Sequence, residues 1–237
     1  MVGELKTIKF TYTGKVELEE TLKNKIMHNW LEIKKKTDLY RDGKILVVSN
    51  LIKNDDDYEL ELKETTFSHF MYVRRFKNQD IKSLFSGAYI VTSDNHVGIV
   101  LNNMYKGNTF EILNLIGGMA EVEDIENGKY LSEKCLIREV KEELGFDLKD
   151  YNYSFELKYL KYPSENENPI GYAIGTIFEI KTKYTKKQIE DIFQNSKHDN
   201  EIKNLVFFSK ENHKDVYNFE HRKEYIPELL EKVFEDL

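Results

Sequence analysis

The chain contains little of what a secreted or membrane-spanning protein needs. Its single cysteine, Cys135, cannot form a disulfide within the chain. No stretch approaches the roughly 18 apolar residues that span a bilayer, and the residues after Met1 are polar and charged instead of apolar. With only three prolines, the chain also has no proline-rich linker. We therefore expect a soluble cytoplasmic protein without a membrane partner.

The chain also lacks an excess of positive charge. It has 35 basic and 42 acidic residues, a formal net charge of −7, which weighs against general nucleic-acid binding because such proteins carry a basic surface. A small phosphorylated ligand stays compatible with this charge, since one metal ion and a few placed cations can hold it. The 237 residues, 40% of them hydrophobic, suit one large domain or a catalytic domain with a smaller appendage.

Hydrophobic periodicity predicts a mixture of helices and strands. Helices are predicted near 17–35, 130–144, 186–195 and 224–237, strands at 5–12, 43–51, 58–63, 110–118 and 203–208, and hairpins over 88–101 and 153–180. Residues 65–85 are ambiguous, and 119–129 are predicted as a polar loop. Because strands and helices do not alternate strictly, we expect a mixed sheet flanked by helices.

The stretch REVKEELGF, residues 138–146, places three glutamates within five positions. At about 100° per residue, Glu139, Glu142 and Glu143 share one arc of a helix. Like charges at this spacing repel one another, and a hard divalent cation would relieve that repulsion. By themselves these acids are more typical of a solvated helix face. Their context is more specific: a strand ends at Gly117–Gly118, and Gly145 stands where a helix C-terminus favours glycine.

This arrangement resembles the Nudix (MutT-like) hydrolase family, whose box reads G-x5-E-x7-R-E-U-x-E-E-x-G-U, with U apolar. Residues 138–146 match the second half at every specified position, and Gly118 matches the first glycine. The middle departs from the pattern. Either Asp124 replaces the first glutamate, with a six-residue insertion before Arg138, or Lys129 stands there with one extra residue.

The resemblance implies a Nudix-type α/β/α sandwich with a mixed sheet over residues 85–237, and a small α+β extension over residues 1–84. It further implies hydrolysis of a nucleoside diphosphate linked to another group, X, by attack of water on phosphorus. A sugar nucleotide or ADP-ribose is a guess for the substrate. Dimers are common in the family, so a homodimer is a further expectation.

The resemblance also implies roles for individual residues. Mg²⁺ or Mn²⁺ would be held by Glu139, Glu142, Glu143 and the carbonyl of Gly117, with Arg138 orienting the glutamates. A loop acid often completes such sites as the base, and Glu201 stands in the expected place. The weaker candidates are Asp199, Glu165 and Glu167. Arg74 and Arg75 are candidates for substrate binding, although such a pair is more often only surface charge.

Two other hypotheses use the same fold. A nucleotide sensor with little catalysis would explain the interrupted first half of the box. An isomerase of prenyl diphosphates needs a cysteine in the pocket, whereas Cys135 lies on the box helix. The histidines His69, His96 and His221 have no metal-ligand spacing, and the run Asp55–Asp57 is typical of a solvated turn.

Overall fold

The computed structural model describes residues 2–4, 7–36, 40–54, 57–77, 81–103, 111–162, 173–198 and 201–237. Its helices are α1 (Glu20–Lys34), α2 (Phe67–Phe76), α3 (Ser132–Leu144), α4 (Lys186–Asn195) and α5 (Ile226–Asp236). Its strands are β1 (Val2–Glu4), β2 (Thr7–Lys15), β3 (Lys44–Asn54), β4 (Asp57–Thr66), β5 (Lys82–Val91), β6 (Val97–Asn103), β7 (Glu111–Asn114), β8 (Ile116–Met119), β9 (Ile125–Glu126), β10 (Lys129–Tyr130), β11 (Tyr153–Lys161), β12 (Ala173–Thr182) and β13 (Ile202–Phe208). None of the helices in these ranges is long and apolar enough to cross a membrane.

Strand β5 organises the main sheet. One edge of β5 pairs with β12 in parallel along most of its length, and antiparallel β11 and β1 continue the sheet on that side. The opposite edge is shared, because β5 meets β3 near its start, β8 in its middle and β6 at its end. The sheet therefore contains parallel and antiparallel pairs, which confirms the predicted mixed sheet.

Helices cover both faces of this sheet. On one face, the α3 residues Leu136, Val140 and Leu144 pack with α4 against β5 and β12. On the opposite face, α5 packs against the alternate side chains of β5, among them Tyr89 and Val91. This alternation is the period-2 pattern of a strand buried on both faces. The result is the predicted α/β/α layering.

The N-terminal segment adds strands to the same sheet. Strands β3, β4 and β2 follow β5 in that order, and α2 packs against β3 through Phe70 and Val73. The division predicted between residues 84 and 85 falls inside β5. It remains a prediction that residues 1–84 form a separate unit. The ambiguous stretch 65–85 contains α2, which begins where the Thr66 hydroxyl accepts a hydrogen bond from the His69 amide at 3.3 Å.

Candidate functional site

Gly117 and Gly118 lie in β8, against β5 on one side and α3 on the other. Gly117 has a φ of +131°, and a Cβ there would lie 2.1 Å from the carbonyl oxygen of Ser86. A Cβ on Gly118 would lie 2.5 Å from the carboxylate of Glu139. Only glycine fits at Gly117, whereas a Cβ at Gly118 would displace the Glu139 carboxylate. The absence of side chains lets an acid of α3 approach the main chain of β8.

Replacing Gly117 with alanine should therefore destabilise the protein. The new methyl group would collide with backbone and occupy a φ that L residues rarely adopt, so we expect a loss of about 1–3 kcal/mol in the free energy of unfolding. Urea unfolding measures it. The control is Gly43→Ala, where a Cβ meets no atom within 4 Å. Equal stability of the two variants would contradict the close packing.

The three glutamates of α3 occupy different environments. Glu143 is 4% exposed, and its Oε2 accepts a hydrogen bond from the Gly117 amide at 2.7 Å. Glu139 is half-buried beside Gly118, and Glu142 is exposed. Gly145 ends the helix in the left-handed region, with a φ of +70°, as the sequence predicts.

Arg138 joins α3 to the loop before it. Its guanidinium donates to Asp124 Oδ2 and to the Met119 carbonyl, both at 3.1 Å, and to Glu139 Oε1 at 2.7 Å. Glu142 Oε2 lies 3.5 Å from the same group. Asp124 is 1% exposed and also accepts from the Glu121 amide at 2.9 Å. These contacts fix one carboxylate of α3 and tie the helix to β8.

This geometry favours one of the two alignments of the box. Asp124 contacts Arg138, whereas Lys129 is exposed on β10. The residues between them form a hairpin, β9–β10, closed by Asn127 and Gly128 with φ values of 50° and 76°. Asn-Gly is the preferred pair for this two-residue turn. The polar loop predicted over 119–129 is thus a 3₁₀ turn followed by a hairpin.

The β9–β10 hairpin contacts two strands of the main sheet through Tyr130. The Tyr130 hydroxyl lies 3.0 Å from Ser86 Oγ, and its ring meets that of Phe10 edge-on at 4.9 Å between centroids. Phe10 belongs to β2. The β9–β10 hairpin therefore packs against β5 and against a strand of the N-terminal segment.

Burial and neighbouring charge make Glu139 a weak acid. Desolvation raises its pKa to about 7, against the opposing effect of Arg138, and the negative charges of Glu142 and Glu121 raise it further. Burial also raises the pKa of Glu121. Carboxylates that raise one another's pKa values are a suitable donor set for a hard cation.

In the described conformation, the carboxylates of α3 do not surround a common metal position. Within the described ranges, no three His, Cys, Asp or Glu side chains are grouped as metal ligands. Glu139 faces Arg138 and Glu143 faces the Gly117 amide. The donor set fits Mg²⁺ or Mn²⁺ by its chemistry, and side-chain rotations would be needed for several oxygens to bind one ion.

The pKa of Glu139 predicts a pH-dependent stability for the metal-free protein. An unfolded glutamate titrates near about 4.3, whereas the folded one titrates at about 7. The folded state thus holds this proton more tightly, so its stability should fall as pH rises through that window. With EDTA present, we expect wild type to lose unfolding free energy relative to Glu139→Gln as the pH rises from 4.5 to 7, because glutamine does not titrate. A constant difference would contradict the raised pKa.

A cavity of about 760 Å³ lies on the other side of the glycine pair, between α2 and α5. Its described walls combine cations, aromatic rings and glycine backbone: Arg74, Lys77, Lys161, Arg222, Lys223, Tyr40, Phe67, Phe70, Phe85, Tyr225, Gly87, Gly117 and Gly118. Two acids, Glu224 and Glu228, also line it. The volume and this lining suit a ligand that combines a flat ring with phosphates.

The structure separates the two arginines predicted for substrate binding. Arg74 lines the cavity. Arg75, on the same helix, donates to Asn29 Oδ1 at 2.8 Å and faces α1. Sequence reasoning missed Lys223, Tyr225 and Phe85. The only signal for the first two was the basic and aromatic run HRKEY, residues 221–225, before the last helix.

The other candidate residues lie elsewhere. Glu201 is exposed and directly precedes β13, and it is not among the residues that line the cavity. Asp199, Glu165 and Glu167 lie outside the described residues, as do Asp55 and Asp56. Burial raises the pKa of Cys135, which keeps this thiol neutral and unsuited to nucleophilic attack. His69 is buried within 2.7 Å of the Thr65 hydroxyl.

Solved structures with similar backbones include several Nudix and MutT proteins. Tm1382, provisionally described as a Nudix hydrolase, is 14% identical and covers 82% of this chain and 99% of its own, with a TM-score of 0.47. A Nudix hydrolase from Nitrosomonas europaea is 18% identical over 65% of this chain and 90% of its own, with a TM-score of 0.41. An Ap4A hydrolase from C. elegans is 12% identical over 63% and 94%, with a TM-score of 0.38.

These similarities concern the backbone alone. No protein-family model and no curated protein matches the chain. Substrate, metal and residue roles therefore have to be argued from the chain's own site.

Proposed function

We propose that this protein is a divalent-metal-dependent pyrophosphohydrolase of the Nudix type, which cleaves a nucleoside diphosphate linked to another group. One observation carries the proposal. The glycine strand Gly117–Gly118 has the acids of α3 on one side and lines a cationic, aromatic cavity on the other. The glutamates do not line the cavity themselves, and the main chain of the two glycines separates them from ligand phosphates there.

Glu139, Glu142, Glu143 and the Gly117 carbonyl would hold Mg²⁺ or Mn²⁺. Such an ion neutralises phosphate oxygens and makes phosphorus more open to attack by water. Arg138, which lies 2.7 Å from Glu139 and 3.5 Å from Glu142, would position both carboxylates. Glu201 is proposed as the base, as the resemblance implies, and a substrate would have to bring the reacting water within its reach.

Aromatic and positively charged side chains that line the cavity would bind the substrate. Phe85 and Tyr225 have ring centroids 6.5 Å apart at 30° to one another, and they offer a surface on which a base or another flat group can stack. Arg74 and the lysines balance the charge of a diphosphate.

Arg75 faces α1, so Arg74→Gln should raise KM more than Arg75→Gln does.

The proposal is tested by product release from a panel of UDP-sugars, ADP-ribose, NADH, dinucleoside polyphosphates and dNTPs, with Mg²⁺ or Mn²⁺. We expect one class to be cleaved between two phosphorus atoms, and the cleavage to stop with EDTA. Product formation that persists in EDTA would contradict metal dependence. Cleavage of none of the panel, together with tight binding of one member, would support the alternative below.

The alternative is a nucleotide sensor with little catalysis. One observation favours it. Among the described residues, no three acidic, histidine or cysteine side chains are grouped so that they could hold a metal ion. A sensor would bind a nucleotide in EDTA as tightly as in Mg²⁺. Calorimetry under both conditions distinguishes the two hypotheses.

A further inference from the structure

A second cavity, of about 590 Å³, lies between α1 and α2. None of the described residues that line it also lines the larger cavity between α2 and α5. Its described walls come from both helices: Asn24, Lys25, His28, Asn29, Glu32, Tyr72, Arg75 and Phe76. The volume is within the range of small-molecule sites, about 300–1,000 Å³. A ligand bound here would therefore occupy a site of its own.

Arg75 is an exposed cation whose position is fixed by two neighbours. Its guanidinium donates to Asn29 Oδ1 at 2.8 Å, and it lies 5.1 Å from the centroid of the Phe76 ring. Asn29 belongs to α1 and is 3% exposed, so the hydrogen bond joins the two helices at a buried side chain. An arginine held in this way loses less conformational freedom on binding a ligand than a mobile surface arginine does.

The cavity offers a ligand more positive than negative charge. In the part of the chain that the structure describes, no ion pair involves Arg75 or Lys25. Glu32 is the one acid among the described lining residues, and it binds Lys35 at 2.6 Å. Two lining cations therefore remain for an anionic ligand.

Asn29 also leaves the protein with an unsatisfied polar atom. Its Oδ1 accepts from Arg75, but its Nδ2 is buried and has no hydrogen-bond partner among the described residues. Buried polar atoms are seldom left in this state, because their lost hydration is not replaced. Departures from this rule are concentrated at functional sites. The contact that Asn29 does make, the one that orients Arg75, is thus the feature that its burial serves.

Two aromatic rings lie in the same wall as Arg75. Tyr72 and Phe76 have ring centroids 4.6 Å apart at 41° to one another, and both line the cavity. Phe76 is 50% exposed, so part of its surface is open to a ligand. An aromatic surface beside a fixed guanidinium suits a ligand whose anionic group is attached to a planar ring.

We propose that the cavity between α1 and α2 binds a small ligand that carries a phosphate or carboxylate group on a planar ring. Arg75 would bind the anionic group by charge-assisted hydrogen bonds, and Lys25 would add a second positive charge. The ring would pack against Phe76 and Tyr72. This site is separate from the proposed substrate site, and its occupation does not depend on hydrolysis.

Phenyl phosphate and benzoate are the probes, because each attaches one anionic group to one ring and they differ in that group. Each is titrated into wild type in EDTA and followed by ¹H–¹⁵N NMR of the Asn29 side-chain amide, whose oxygen accepts from Arg75. We expect this signal to shift, and the tighter probe identifies the anionic group. Inorganic phosphate and acetate, which lack the ring, should bind at least about fivefold more weakly. No shift with either probe up to about 10 mM would overturn the inference.

Two adjacent arginines supply matched variants. Arg75→Gln removes the proposed anion contact, whereas Arg74→Gln removes a charge that lines the larger cavity. We expect the first to weaken binding of the tighter probe at least about fivefold and the second to leave it within about twofold, with circular dichroism as the check of folding. A loss confined to Arg74→Gln would place the ligand in the larger cavity and overturn the inference. Equal affinities of Arg75→Gln and wild type, or wild-type binding of uncharged benzyl alcohol as tight as that of benzoate, would overturn it as well.

Discussion

Replacement of Glu143 by glutamine should lower kcat by about 10²- to 10³-fold and leave the fold intact, because the lost metal stabilisation amounts to several kcal/mol. The substitution keeps the shape of the side chain, and the amide oxygen of glutamine can still accept the hydrogen bond from the Gly117 amide, which is 2.7 Å long here. Only the charge is removed. The kept shape and hydrogen bond preserve the fold, and the lost charge weakens the proposed metal site.

The measurement is product release at saturating Mg²⁺, with circular dichroism as a check of folding. Glu133→Gln is the matched control, since Glu133 is an exposed acid in the first turn of the same helix. It should retain nearly all activity. If Glu143→Gln were as active as Glu133→Gln, the role proposed for the buried glutamate would be wrong.

Replacement of Arg138 by glutamine should cost about 3–5 kcal/mol in the free energy of unfolding, because it leaves a buried carboxylate without its counter-ion. Asp124 is 1% exposed and lies 3.1 Å from the guanidinium. The variant also loses the bonds from Arg138 to Met119 and Glu139. We therefore expect lower stability and a changed position of the acids that we propose to bind metal.

A double-mutant cycle isolates the pair. We expect Asp124→Asn combined with Arg138→Gln to be less destabilising than the sum of the single variants, by about 1–3 kcal/mol, as measured by urea unfolding. Lys141→Gln, on the exposed side of α3, should change stability by less than about 0.5 kcal/mol. Additive single effects would show that Asp124 is not the partner of Arg138.

The box helix could be predicted from the sequence because its signals are local. Helical spacing of Leu136, Val140 and Leu144 identified the buried face, and all three are fully buried. Gly145 marked the end of the helix by a backbone conformation that favours glycine. The choice between Asp124 and Lys129 could not be made, because it depends on which residue reaches Arg138 in space.

The start of β5 was hidden by its small residues. Ser86 and Gly87 resemble a turn, yet both lie within the strand, where their size is a packing requirement. A Cβ on Gly87 would lie 3.1 Å from Leu115, and Ser86 bonds to Tyr130 and Thr176. Periodicity does not distinguish a glycine needed for close approach from one needed for a turn.

The cavity could be predicted only in part. Arg74 and Arg75 are equivalent in sequence, and the direction of α2 decides which of them enters the cavity. Lys223 and Arg74 come from distant segments of the chain and line one cavity. Such contacts between distant segments follow from tertiary structure and leave no local pattern.

The central claim is that the acids of α3 hold a divalent cation beside the glycine strand, and a Mn²⁺ titration followed by electron paramagnetic resonance tests it without knowledge of the substrate. We predict that wild type and Glu133→Gln bind Mn²⁺ with equal affinity, and that Glu139→Gln and Glu143→Gln bind it at least about tenfold more weakly. Equal binding by all four proteins would place the metal elsewhere and contradict the claim.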